Sequence, residues 1–268
     1  MTRYFSMNLK SLLRSPELIF WSVAFMEFWV FMWVFVFGRE VPPEHLKCYV
    51  GNGYGAMYTL AISSAGVGVV YGGLAASRSI RFLTKYSRLS PSRFFLENML
   101  SSYIFLLIIG GIMFGSMVAL FRAHKGVWAL PEIPGGLAGM MLLGALEVYL
   151  FSMCCAFLAV ALRSPGSAKF MCYLPLIFGF LAYGSLWADY GAGNYILPFN
   201  PILSLCYHYY TGKAPEASPF VGGGGGELHL HLLLASLLSW IGALAALDIL
   251  LFRRARGISA EEILALGS

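Results

Sequence analysis

Residues 56–76 run without a single charged side chain, and five further stretches are almost as apolar: 18–37, 99–121, 137–162, 170–187 and 230–252. A helix crosses hydrocarbon with about 20 mostly apolar residues, because only intrasegment hydrogen bonds satisfy its backbone there. The runs do not alternate apolar with polar residues every second position, as strands of a transmembrane barrel would. The composition agrees: 59% of the 268 residues are hydrophobic and 12% charged, about half the charge of a soluble domain. So little charge cannot coat a surface in water, which excludes a soluble enzyme, a nucleic-acid-binding domain and a disordered chain. The expectation is an all-α polytopic membrane protein with six transmembrane helices in a single domain.

Placement of Lys and Arg sets the expected orientation. With a cytoplasmic N-terminus, 13 of the 18 basic residues fall inside, including Arg3, Lys10, Arg14, Arg78, Arg81, Lys85, Arg88 and Arg253. The other 5, among them Arg39, Lys47, Arg122, Lys125 and Lys213, fall outside. Both termini are then cytoplasmic. The first apolar run is long enough to span and no small-residue cleavage site follows it, so it reads as a span, not a removed leader.

Three segments outside the spans carry information. In residues 1–16, Arg3, Lys10 and Arg14 share one side of a helical wheel, opposite Phe5, Leu9, Leu12 and Leu13. That pattern predicts an interfacial helix on the cytoplasmic surface, turned into the bilayer at Pro16; a basic anchor that only sets topology would look the same. Residues 77–93 place Arg78, Arg81, Lys85 and Arg88 on one helical face before Pro91. The spacing suits either a short rigid cytoplasmic helix that takes up force from a soluble partner or a basic loop held at anionic headgroups. Residues 188–227 begin with Gly191, Gly193, Pro198 and Pro201, continue with an apolar stretch from Ile202 to Tyr210, and end in five glycines. They read as an external re-entrant or interfacial helix followed by a flexible loop.

In this order the pieces resemble the membrane-spanning subunit of an ABC-2 type ABC transporter. The resemblance rests on the interfacial helix, on RFLTKYSRLSPSRFFLENML with its Leu89-Ser90-Pro91, on Ala161-Leu162-Arg163 closing the fourth span, and on Leu197-Pro198-Phe199-Asn200-Pro201 followed by Tyr209-Tyr210-Thr211-Gly212. The second span departs from the family's Pro-Gly opening and reads Gly51-Asn52-Gly53-Tyr54-Gly55. The resemblance implies a permease in the cell membrane that pairs with a second permease copy or a homologue. Separate ABC ATPase subunits, carrying ATP and Mg, would drive it. Arg78, Arg81, Lys85 and Arg88 would then seat a coupling helix in the ATPase, flanked by Arg3, Lys10 and Arg14. The chain itself contains no G-x-x-x-x-G-K-[ST] sequence, so hydrolysis is expected on the partner and no cofactor on this chain.

Ionisable groups at membrane depth are functional suspects because each costs about 2.5–3.5 kcal/mol to insert. Glu27 and Glu147 lie mid-span, with Tyr149 close by in sequence. These three are the candidates for a translocation path; the alternative is interior carboxyls, protonated and hydrogen-bonded to Ser, Tyr or Trp. An ion-coupled transporter or channel using Glu27 and Glu147 is a rival reading. A membrane enzyme is another, with His208 as its sole candidate base. Asp248 is expected to pair with Arg253 or Arg254 at the interface. The external Cys48 and Cys206 leave a disulfide open, while His229 and His231 point to different helix faces and make no metal site. Aromatic spans without a basic residue suit a hydrophobic or amphipathic cargo: a drug, a lipid or a lipid-linked molecule; rings that merely face lipid would look the same.

Overall fold

The computed structural model describes the backbone of residues 3–86, 91–162, 165–221 and 225–255, and the side chains of 4–76, 93–162, 168–221 and 225–252. Among these the structure is helical, with no strand beyond an isolated antiparallel bridge between Glu216 and Glu227. Five helices begin on a proline: α2 (Pro16–Phe37), α3 (Pro43–Tyr86), α4 (Pro91–Lys125), α5 (Pro134–Leu162) and α6 (Pro165–Gly184). Proline suits a helix start because its fixed φ is already helical and its missing N–H would have no partner there. Before them lies α1 (Arg3–Arg14). After them come the single turn α7 (Gly193–Ile196), α8 (Asn200–Thr211) and α9 (Leu230–Ala255).

Five helices are long and apolar enough to cross a membrane: α2, the 43–76 part of α3, the 93–125 part of α4, α5, and the 230–252 part of α9. The apolar part of α6, Ala168–Gly184, is shorter. The second expected span begins far earlier than its hydropathy suggests. Helix α3 opens at Pro43 and continues unbroken to Tyr86, because no proline interrupts that stretch. The backbone of residues 77–86 therefore extends the span's own helix, and residues 87–90 lie outside the described part of the chain.

Helix α5 is the central post. It packs on α3, α4, α6, α8 and α9, and its residues from Glu147 to Phe157 are buried all round, the pattern of a helix apolar on every side. Residues 50–66 of α3 are equally buried. Gly51 and Gly55 let α8 approach: a Cβ at Gly55 would stand 2.8 Å from the Leu203 carbonyl oxygen, the close contact that Gly-x-x-x-Gly spacing permits. Helices α2 and α9 are peripheral and expose Phe20, Phe28, Phe31, Leu238 and Ile249, as lipid-facing surfaces do.

Helix α2 is not uniform. It widens into π-helical turns at Phe20–Ala24 and Met32–Phe37, the kind of local rewinding that re-aims side chains within a helix. Near its start, the Ser22 hydroxyl donates to the Leu18 carbonyl at 2.6 Å. At the other end of the bundle, residues 213–221 and 225–228 fold back over the helices. The Phe220 amide donates to the Leu186 carbonyl at 3.1 Å, and its ring packs against Trp33, Tyr49 and Trp187 at centroid distances of 5.6, 6.2 and 5.1 Å. Gly225 and Gly226 are paired to Ala217 through backbone hydrogen bonds, so this part of the glycine run is held in place.

Candidate functional site

The junction between α1 and α2 is a single residue, Ser15, whose hydroxyl accepts from the Leu18 amide at 3.4 Å and caps α2. The sharp turn leaves a gap between this corner and the neighbouring faces of α3 and α6. The gap is a cavity of about 850 Å³, open at one side, within the size range of sites for drug-sized molecules. Its polar wall carries Ser11, Ser15, Glu17, Ser64, Tyr71 and Tyr173. Its apolar wall is built from Leu12, Leu18, Trp21, Val67 and Leu176.

Two contacts fix the cavity's inner edge. The Ser64 hydroxyl of α3 donates to the Trp21 carbonyl of α2 at 3.2 Å, and Gly68 leaves room for Leu18, whose Cδ2 would lie 3.1 Å from a Cβ there. Tyr71 of α3 and Tyr173 of α6 meet on another side. Among the described residues Glu17 is the sole charged member of the lining, and its side chain is exposed. No ion pair holds it among the described residues. None of these residues belongs to a sequence motif, and only their assembly from four helices identifies them.

The residues singled out from sequence lie elsewhere. Glu147 is fully buried in α5. The backbone amide of Phe199 faces its carboxyl, yet neither oxygen has a hydrogen-bond partner of full geometry. Phe199 itself sits at φ 72°, the left-handed region, just before α8, a conformation that costs a non-glycine residue about 1–3 kcal/mol. Its ring is held against Phe151 and Phe178 at 5.2 and 6.4 Å. Glu27 is half-buried on α2 and faces Ser116 of α4. The two carboxyls thus have different neighbours, and no hydrogen bond joins them among the described residues.

Tyr149 and Asp248 belong to a second polar cluster. Asp248 is 2% exposed, and both carboxyl oxygens lack hydrogen-bond partners among the described residues; the side chains of Arg253 and Arg254, its expected partners, lie outside them. Helix α9 carries it against α5, where it faces Tyr149, Cys154 and Cys155. The Asn98 side chain of α4 comes within reach of the Tyr149 hydroxyl, although that hydroxyl makes no hydrogen bond of full geometry. From Asn98 the cluster continues to α1: the Asn8 amide donates to Asn98 Oδ1 at 2.9 Å and to Ser101 Oγ at 2.6 Å. The Phe5 amide donates to Glu97 Oε2 at 3.2 Å, and Tyr4 packs on Phe94 at 4.7 Å.

Helix α1 therefore docks on α4 through Tyr4, Phe5 and Asn8, while Lys10 and Arg14 are exposed. Leu13, on the apolar side of the helical wheel, is 40% exposed, while the stripe buried against the bundle follows positions 5, 8, 9 and 12. The side chains of Arg3, Arg78, Arg81 and Lys85 lie outside the described part, as does Arg88 entirely. Cys48 and Cys206 are both free thiols, with Cys206 buried and Cys48 beside Tyr207. His208 Nδ1 lies 2.8 Å from the Lys213 carbonyl, beside Gly212, which ends α8 at φ 73°. No group of three or more metal-ligating side chains forms among the described residues.

Compared with known proteins, the sequence matches no family model, no curated protein and no solved structure. The candidate site therefore rests on its own geometry: a corner cavity with a hydroxyl-rich, singly acidic wall facing an apolar one.

Proposed function

We propose that the chain is the permease subunit of an ATP-driven exporter, carrying a hydrophobic or amphipathic cargo out of the cell through the membrane. In this reading both termini are cytoplasmic and α6 is the sixth crossing. Its 20 residues make a helix of about 30 Å, the thickness of the hydrocarbon core. Helix α8 is the re-entrant element, covered by α3 and α5 so that its ends are shielded from lipid. Two copies, or this chain and a homologous permease, enclose the path, and separate ATPase subunits bind ATP and Mg.

The observation that supports this reading most is the cavity at the α1–α2 corner. It offers a large site with both apolar and polar walls, beside an interfacial helix that is itself hydrogen-bonded to the bundle. A cargo held there touches α2, α3 and α6 at once, so movement of any of the three changes the site. The basic stretch Arg78 to Arg88 is where the ATPase would engage, at the far end of α3.

Co-purification tests the proposal. The chain expressed with the ATPase encoded beside its gene is expected to elute as one complex in mild detergent. Amphipathic molecules should stimulate ATP hydrolysis by that complex, and replacing Arg78, Arg81 and Lys85 by Glu should uncouple it. A chain that elutes alone, with no ATPase bound, would overturn the reading.

A further inference from the structure

We propose that the corner cavity selects amphiphiles whose head group is a cation, with Glu17 as the residue that recognises it; this inference rests on the cavity being the cargo site. Charge complementarity carries the argument. Among the described residues Glu17 is the sole charged member of a lining drawn from four helices, and no Lys or Arg lines the cavity with it. Glu97, on the first turns of α4, is taken up by Arg93 at 3.1 Å and by the Phe5 amide. Glu17 has no such partner among the described residues, although the exposed Arg14 lies one helical turn before it.

A carboxylate kept free beside basic neighbours needs an occupant or water. The rest of the wall fits an ammonium head and an alkyl or aryl tail. Ser11, Ser15 and Tyr71 offer oxygens that accept from an N–H group, and Trp21 offers a ring face for a cation. Beyond them Leu18, Val67 and Leu176 cover a tail. An anionic head group would meet the Glu17 charge and find no basic side chain in the lining. A neutral head group would bind through the hydroxyls alone, without the charge-assisted contact.

The test uses the full chain in phosphatidylcholine nanodiscs and three probes with the same nitroxide-labelled alkyl tail. Their head groups are primary ammonium, hydroxyl and sulfate. Binding is read as the quenching of Trp21 fluorescence, taken as the difference between the unmodified chain and Trp21→Phe. The ammonium probe is expected to quench at about tenfold lower concentration than the hydroxyl probe, a single charge-assisted contact's effect. Glu17→Gln should abolish that difference and leave the hydroxyl probe unchanged, and Glu17→Lys should turn the preference to sulfate.

Equal binding of the cationic and neutral probes, or a preference that survives Glu17→Gln, overturns the cationic selectivity while leaving the cavity as a cargo site. Val67→Phe, which fills the cavity, separates the two levels: if it leaves quenching by all three probes intact, the cavity is not the site. Size-exclusion elution and far-ultraviolet circular dichroism of each variant confirm that it is folded.

Discussion

Replacing Gly55 with alanine tests how α8 is held. The added Cβ would lie 2.8 Å from the Leu203 carbonyl oxygen and 3.5 Å from the Cys206 Cβ. The first is backbone and cannot swing aside, so α8 must back away from α3 by about half an ångström to restore ordinary contact. Overpacking of this kind costs about 1–3 kcal/mol. Alanine also gains about 0.5–1 kcal/mol over glycine inside a helix. Gly111→Ala supplies the control, since a Cβ there meets nothing within 4 Å. The propensity gain cancels in the difference, so Gly55→Ala should be less stable than Gly111→Ala by about 1–3 kcal/mol. Chemical unfolding in nonionic detergent measures both. Labelling of the buried Cys206 by maleimide, in a Cys48→Ser background, should accelerate in Gly55→Ala alone. If the two alanine variants are equally stable and Cys206 stays protected in both, the close approach of α8 to α3 is refuted.

Three further outcomes follow from contacts at the two ends of the bundle. The Tyr210 hydroxyl donates to the Ala129 carbonyl, alongside backbone bonds from Glu132 and Ile133 to residues 210 and 209. Tyr210→Phe should therefore cost about 1–3 kcal/mol in unfolding free energy, the penalty of orphaning a buried acceptor. Asn8→Ala removes two of the bonds from α1 to α4 and leaves that of the Phe5 amide to Glu97, and limited proteolysis should cut near Ser15 several times faster while the bundle stays intact. Burial, with a smaller part from the Glu97 charge, pushes the Tyr4 hydroxyl up to about 12 from its ordinary 10. The neutral phenol thus favours docked α1: the contribution is whole below pH 10 and is lost as pH rises from 10 through 12. Proteolysis at the α1–α2 corner should show a step in that window which Tyr4→Phe lacks.

The apolar runs mark five crossing-competent helices, because hydrophobicity over about 20 residues is a direct reading of the solvent they occupy. It does not mark where a helix ends. Helix α3 starts 13 residues before its apolar run, at Pro43, because helical hydrogen bonding does not require apolar side chains. Asp248 illustrates a different limit. Distance along α9 put it near basic residues, but its side chain turns toward Tyr149 on α5, and helical facing depends on which neighbour packs there. Glu27 and Glu147 stood out as charges at membrane depth, yet the cavity lies at the α1–α2 corner. Its serines, tyrosines and Glu17 carry no pattern in one dimension. They come together because Ser15 turns the chain within a single residue and because Gly68 makes room on α3 for Leu18 of α2.

The unbroken course of α3 has a mechanical consequence. Its 44 residues make a rod of about 66 Å, well beyond the roughly 40–45 Å of a whole bilayer. Tilting such a rod by about 5° displaces one end relative to the other by about 6 Å. One end grips α8 through Gly51 and Gly55, the middle forms a cavity wall at Ser64, Val67, Gly68 and Tyr71, and the other end is the basic stretch. Were the proposed ATPase to engage that stretch, its movement would reach the cavity wall and α8 along one continuous helix, with no further linkage to join them.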